Sequence, residues 1–255
     1  LALGRYTDAK VILSNALDMV SSELDDSAPE VLQLRQALAE HALYLGSYDA
    51  AEAGFKEILE YRKNFYTNQP SVVSAAGLAS AHADLSRLAL ARAQYADAIQ
   101  MANNALNITK EYHNESDPAC SNLYLLLGTI HYKSNKYQIA EEELEKARLN
   151  FSITFGEFHP DYANTLIVLG EVYRKQGKFD KADKEVKRAI SILENAYGKN
   201  HPSVAKALEV QAKIYDHRCE FEKEQTAWER ILNIRQQFYS GEHPELASTY
   251  YYYAS

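Results

Sequence analysis

Three His-Pro pairs, His159-Pro160, His201-Pro202 and His243-Pro244, recur at intervals of 42 residues. Imidazole is the commonest protein ligand for zinc and its neighbours, so a repeated histidine first suggests a metal. Spacing argues against it. If each period is one helical unit, equivalent nitrogens stand about 16–20 Å apart at ordinary helix separations. A shared ion needs ligand nitrogens at about 2 Å. The histidines are therefore expected in inter-repeat turns. Gly170 to Lys178 faintly resembles a phosphate-cradling loop, but six residues separate Gly170 from Gly177 where four are required. Phe179 replaces the metal-binding hydroxyl, and no strand precedes the stretch. Cys120 and Cys219, with no base nearby in sequence, read as buried thiols rather than nucleophiles. The triplets Asn107-Ile-Thr109, Asn114-Glu-Ser116 and Asn150-Phe-Ser152 match glycosylation acceptors. They are taken as unmodified. No catalytic residue, metal site or cofactor is expected.

Composition agrees. The chain has 255 residues, 46% hydrophobic and 24% charged, with only 10 Gly and 6 Pro. So few breakers disfavour a turn-rich sandwich or a low-complexity tract. Net charge is −8. Residues 1–117 carry 9 basic against 16 acidic side chains, and residues 118–255 carry 18 against 19. An acidic chain without a basic patch is a poor nucleic-acid binder. The longest stretch free of charged side chains, Asn64 to Ala83, holds Pro70 and many polar residues, so no membrane insertion is expected. Two cysteines cannot build a disulfide framework. With no secretory signal and Leu1 in first place, the chain reads as an intracellular, cytoplasmic excerpt of a longer polypeptide, with cytoskeletal or ciliary association open.

A repeat must position these residues. Pro29, Pro70, Pro118, Pro160, Pro202 and Pro244 are spaced by 41, 48, 42, 42 and 42 residues. Tyr6, Tyr48, Tyr95, Tyr137, Phe179 and Phe221 follow the same beat, and all but the last are followed three residues on by alanine. In the clearest period, Pro160 suits the first turn of a helix. Leu166, Leu169, Gly170 and Tyr173 then form a stripe at helical spacing. Gly177 ends that helix. Phe179, Ala182, Val186, Ala189 and Ile190 form the stripe of a second helix, closed by Gly198. The units run approximately 1–28 (second helix only), 29–69, 70–117, 118–159, 160–201, 202–243 and 244–255. The distance from Pro70 to Tyr95 is six residues longer than its counterparts, so the helix ending at Ala91 should be longer at its N-terminal end.

Leu166-x-x-Leu169-Gly170-x-x-Tyr173, then Phe179-x-x-Ala182 and Ala189, resembles the tetratricopeptide repeat. That repeat ordinarily has about 34 residues. The 42-residue period and the His-Pro openings resemble the subtype found in kinesin light chains. Gln211-Ala212 and Leu85-Ser86 depart from the Leu-Gly pair, Asp117-Pro118 replaces His-Pro, and no heptad coiled coil is present. The resemblance implies one all-α, right-handed solenoid over residues 1–255, a superhelix of stacked antiparallel hairpins with first helices lining a concave face.

By the same analogy that face carries Asn122, Thr129, Tyr132, Lys133, Asn164, Glu171, Arg174, Lys175, Lys206, Lys213, His217 and, from an earlier unit, Arg87. Such a groove implies a non-catalytic scaffold capturing an extended or helical peptide, acidic and bearing aromatics. A regulatory or targeting arm of a larger enzyme, and a structural rod in a cytoskeletal or ciliary assembly, are the alternatives. Tyr250 and Tyr253 are expected to pack, leaving Tyr251 and Tyr252 to contact the next repeat beyond this excerpt or, as the alternative, a partner. Uncapped ends predict end-to-end self-association of the fragment.

Overall fold

A computed structural model describes residues 6–239 and 243–254, in which every regular element is an α-helix. Gly4, which by its place in the repeat would close a first helix as Gly177 does, and Gly241, just before Pro244, lie outside the described residues. The chain divides into two compact units, residues 1–115 and 116–255. The first contains α1 (Tyr6–Ser21), α2 (Pro29–Tyr44), α3 (Tyr48–Asn68), α4 (Val72–Ala91) and α5 (Tyr95–Tyr112). The second contains α6 (Pro118–Lys133), α7 (Tyr137–Phe155), α8 (Pro160–Lys175), α9 (Phe179–Tyr197), α10 (Pro202–His217), α11 (Phe221–Phe238) and α12 (Pro244–Ala254). Within each unit the helices pair into hairpins and each hairpin packs on the next. The expected all-α stack of hairpins is what both units show. The insertion also falls where it was expected, since α4 has 20 residues against 16 in α2, α6, α8 and α10. Pro70 is displaced outside that helix, and a Ser71–Ser74 capping box opens it instead.

The hairpin turn explains the glycine of the motif. Its middle residue is left-handed in five hairpins, at Gly46 (φ 74°), Ala93 (57°), Asn135 (61°), Gly177 (75°) and Cys219 (56°). Cys219 thus occupies a turn and is exposed, whereas Cys120 is buried in α6. The expectation of two buried thiols fails for Cys219, because the turn it replaces faces solvent. A side chain in this conformation costs about 1–2 kcal/mol. Ala93→Gly should therefore raise unfolding stability by about 0.5–1 kcal/mol, after the extra unfolded-state entropy of glycine. A urea melt showing no gain would refute the strain.

Two contacts fix how the helices of a hairpin meet. The eleventh residue of a first helix faces the eighth of its partner, as Gly128 faces Leu144 and Gly170 faces Val186. A Cβ added at Gly170 would lie 2.4 Å from Val186 Cγ2. Leu144 and Val186 are both fully buried.

The second contact joins three helices and recurs in both units. Arg62, the fifteenth residue of α3, donates to Gln36 Oε1 of α2 (2.7 Å) and to the Gly77 carbonyl of α4 (3.2 Å). Arg235, at the same position of α11, pairs with Glu209 of α10 (2.8 Å) and donates to the Glu245 carbonyl of α12 (3.2 Å). It also donates to Thr249 Oγ1 at 2.6 Å. Between them the same two positions hold Thr109 with Ala83, Phe151 with Leu125 and Leu193 with Ile167. An arginine stands where its own hairpin offers a polar partner, and an uncharged residue where it does not, Thr109 turning its hydroxyl back onto the Ala105 carbonyl of its own helix at 2.9 Å.

Candidate functional site

The His-Pro residues prove to be helix caps. Nδ1 of His159, His201 and His243 accepts the backbone N–H of Asp161, Ser203 and Glu245, each at 3.2 Å. Asp117 does the same for Ala119 N–H at 2.8 Å. This fixes where each first helix begins. No cluster of three metal-ligating side chains occurs among the described residues.

With their starts fixed, the first helices of the second unit present residues one helical turn apart along a common face. A cleft of about 430 Å³ is lined by Thr129, Tyr132 and Lys133 of α6, Ile167, Val168 and Glu171 of α8, and Lys206, Glu209, Val210 and Lys213 of α10. Glu245 and Ser248 of α12 and Arg235 of α11 complete it. Six expected residues, Thr129, Tyr132, Lys133, Glu171, Lys206 and Lys213, are thus brought together. Asn122, Asn164 and Lys175 are exposed but outside this lining. Arg87 belongs to the first unit, on α4, where it pairs with the buried Asp84 at 2.7 Å.

The charges are not equivalent. Arg174 is only 8% exposed and donates twice to Glu171, through Nε at 2.9 Å and Nη2 at 2.6 Å. Its Nη1 lies 3.2 Å from His217 Nε2. Lys213 reaches the other oxygen of the same carboxylate at 3.3 Å. Burial alone would raise the Glu171 carboxyl, but Lys213 and Arg174 outweigh it and hold it below its ordinary range. Tyr132, beside this cluster, is pushed up to about 12 by burial and by the Glu171 carboxylate. Glu209 and Glu245 are engaged by Arg235. Lys133 and Lys206 differ. Both are exposed, and neither is paired with a carboxylate among the described residues; Lys133 lies 5.5 Å from the ring centre of Tyr132.

Sequence reasoning did not find Arg235, Glu245 or Ser248. Arg235 sits on a second helix, which the analogy places on the outside. The parallel between Arg62–Gln36 and Arg235–Glu209 was the available signal. The tyrosine run also divides differently: Tyr252 stacks on Trp228 (5.0 Å, 6°), while Tyr251 is the most exposed of the four at 71%. Tyr252 makes this ring contact while exposed to the same degree as Tyr253, 44% against 42%.

A further cleft of about 510 Å³ in the first unit is lined by α1, α2 and α3, including Lys10, Leu17, Arg35, Ala39 and Glu57. Its arginine is already paired with Asp26 and Glu57. No helix among the described residues is long and apolar enough to cross a membrane.

Comparison with known proteins places this architecture. The fold is similar to that of BtubC (BKLC) from P. vanneervenii, with a TM-score of 0.72 at 19% identity over 94% of each chain. It is similar to the nearly identical TPR-like repeats of a protein assigned as a kinesin light chain in Podosopora anserina (TM-score 0.61, 17% identity, 81% of this chain and 95% of that one). NprR in complex with its cognate peptide NprX is a third (TM-score 0.63, 14% identity, 98% of this chain and 67% of that one). No match is found among curated proteins. The tetratricopeptide repeat family model matches residues 77–148, 121–195 and 161–227. With its 42-residue, kinesin-light-chain-like period, the chain belongs to the tetratricopeptide repeat family.

Proposed function

We propose that this protein is a non-catalytic interaction scaffold whose second-unit cleft captures an acidic peptide bearing an aromatic residue. The observation that carries this reading is the state of the cleft's charges. Glu171, Glu209 and Glu245 are engaged by Arg174, Lys213 and Arg235, while Lys133 and Lys206 keep their charge for an incoming group. Two ammonium groups on different helices suit carboxylates spaced along an extended segment. The half-buried Tyr132 ring beside Lys133 offers an apolar wall to an aromatic side chain. Asn122 and Asn164, a repeat apart and exposed, can each donate to and accept from a peptide backbone. The peptide carried by NprR, a protein of like fold, is consistent with such a role. Neither cysteine is disulfide-bonded, which suits a reducing, intracellular setting.

Arg174 and Lys175 are poorer test positions, since changing Arg174 would take two hydrogen bonds from Glu171, whose side chain is only 12% exposed. Lys133→Glu with Lys206→Glu is the sharper variant. Acidic, aromatic-containing peptides selected on the wild-type chain should bind this variant at least about tenfold more weakly at low salt, the scale of one lost charged contact. Unchanged affinity in fluorescence anisotropy at low ionic strength would sink the proposal.

A structural role through the outer face is the second reading, favoured by Leu149 (59%), Ile153 (65%) and Phe158 (80%), apolar and exposed on and just after α7. Partner capture that survives the cleft variant but is lost in Leu149→Glu/Ile153→Glu would select it.

A further inference from the structure

The histidine caps give the second unit a chemical property that aspartate or asparagine caps would not. A ring nitrogen can accept an N–H only while it carries a lone pair, so Nδ1 of His201 must be unprotonated to hold Ser203 N–H at 3.2 Å. The ring is fixed by stacking on Tyr197 of α9 (4.5 Å, 28°) and by the edge-on ring of Phe238 of α11 (6.1 Å, 68°). It therefore ties together three consecutive helices. His243 repeats the arrangement, stacked on Tyr239 at 3.7 Å and 1° and accepting from Glu245 N–H.

We propose that these junctions are acid-releasable: protonation of His201, and of His243 after it, uncaps α10 and α12 and loosens the hairpin stack of the second unit. Protonation makes both ring nitrogens donors, so Nδ1–H would face Ser203 N–H. It also places a positive charge at the positive end of the α10 dipole. The Tyr197 face attracts an imidazolium and offsets part of this cost. The device does not depend on what the cleft holds.

The surroundings of each ring set the direction. No charged side chain among the described residues acts on His201, and burial alone holds its pKa below the ordinary 6.5. Burial likewise lowers His243, Glu245 opposes and Arg235 adds to it. A histidine whose pKa is lowered by folding contributes stability above the unfolded value of 6.5 and loses it as pH falls below that value. The chain carries its own controls. His159 has the Asp161 carboxylate 3.6 Å from the same nitrogen, a counter-charge that His201 lacks. Asp117 caps α6 with no imidazole at all. Three other groups move in the same window. His131 of α6 and His82 of α4, both lowered by burial, have the same sign, while Asp84 of the first unit, raised to about 6 by burial, gains stability as pH falls. A whole-chain melt mixes these contributions, so the readout must be local.

Amide exchange on the full chain at about pH 7.5 and about pH 5 brackets the titration of histidine. The protection factor at Ser203 should fall about fivefold, the equilibrium factor of a lost cap, while that at Ala119 holds. In His201→Asn, whose amide caps at either pH, the fall at Ser203 should vanish. The same pH dependence in the variant as in the wild type would overturn the proposal. Should the variant fail to fold, the ¹⁵N resonances of the wild-type His201 ring decide. A proton-free Nδ1 at about pH 7.5 with a midpoint below the ordinary histidine value supports the proposal. A proton on Nδ1, or a midpoint at or above that value, overturns it.

Discussion

Gly128→Ala is expected to destabilise the second unit by about 1–2 kcal/mol, against the usual direction for a helical glycine. Alanine in a helix interior ordinarily gains roughly 0.5–1 kcal/mol over glycine. Here the added Cβ would lie 2.5 Å from Leu144 Cγ, 2.8 Å from its Cδ2 and 3.3 Å from the Ala140 carbonyl oxygen. Leu144 is fully buried, and the carbonyl oxygen belongs to the opposing backbone, so α6 and α7 must move apart. That separation loosens a packed seam, and the cost outweighs the propensity gain. The first unit shows the permitted alternative: Ser86 and Ala102 occupy these two positions in α4 and α5. Leu144→Ala in the Gly128→Ala background should accordingly cost less than the sum of the two single changes. A double-mutant cycle by urea unfolding measures this. Strict additivity would show that Leu144 is not what excludes the Cβ.

Truncating Arg235 should be costlier still. Arg235→Leu removes a guanidinium that is 2% exposed and leaves the Glu209 carboxylate and the Thr249 hydroxyl without its N–H groups, while the Glu245 carbonyl keeps the Thr249 and Ser248 hydroxyls at 2.7 and 2.9 Å. Because Glu209 and Glu245 retain 24% and 28% exposure, water partly replaces the lost partner. The expected loss is about 2–3 kcal/mol, below the range for a fully buried pair. Amide protection in α12 should fall before that in α8. The neighbouring repeat indicates the remedy, since Leu193 stands opposite Ile167 at the same two positions. Arg235→Leu combined with Glu209→Ile should restore more than half of the loss, by exchanging a polar join for an apolar one. If the single variant unfolds at the same temperature as the wild type with α12 amides equally protected, Arg235 does not hold this helix.

What the chain alone determined was local and periodic. Proline at a fixed beat, a left-handed turn residue at Gly46 and Gly177, and apolar stripes at helical spacing each act within one hairpin, so their meaning survives without knowing what the hairpin touches. The insertion before Ala91 was legible for the same reason. The fate of individual side chains was not. Arg174 and Lys206 are both basic residues on the expected inner face, yet one is consumed by Glu171 and His217 while the other stays exposed. Arg235 enters the cleft from a second helix because Glu209 and Thr249, 26 residues before it and 14 after, converge on its guanidinium. Only the tertiary structure decided these, because charge pairing depends on distances across repeats, and a sequence gives the groups without the distances between them.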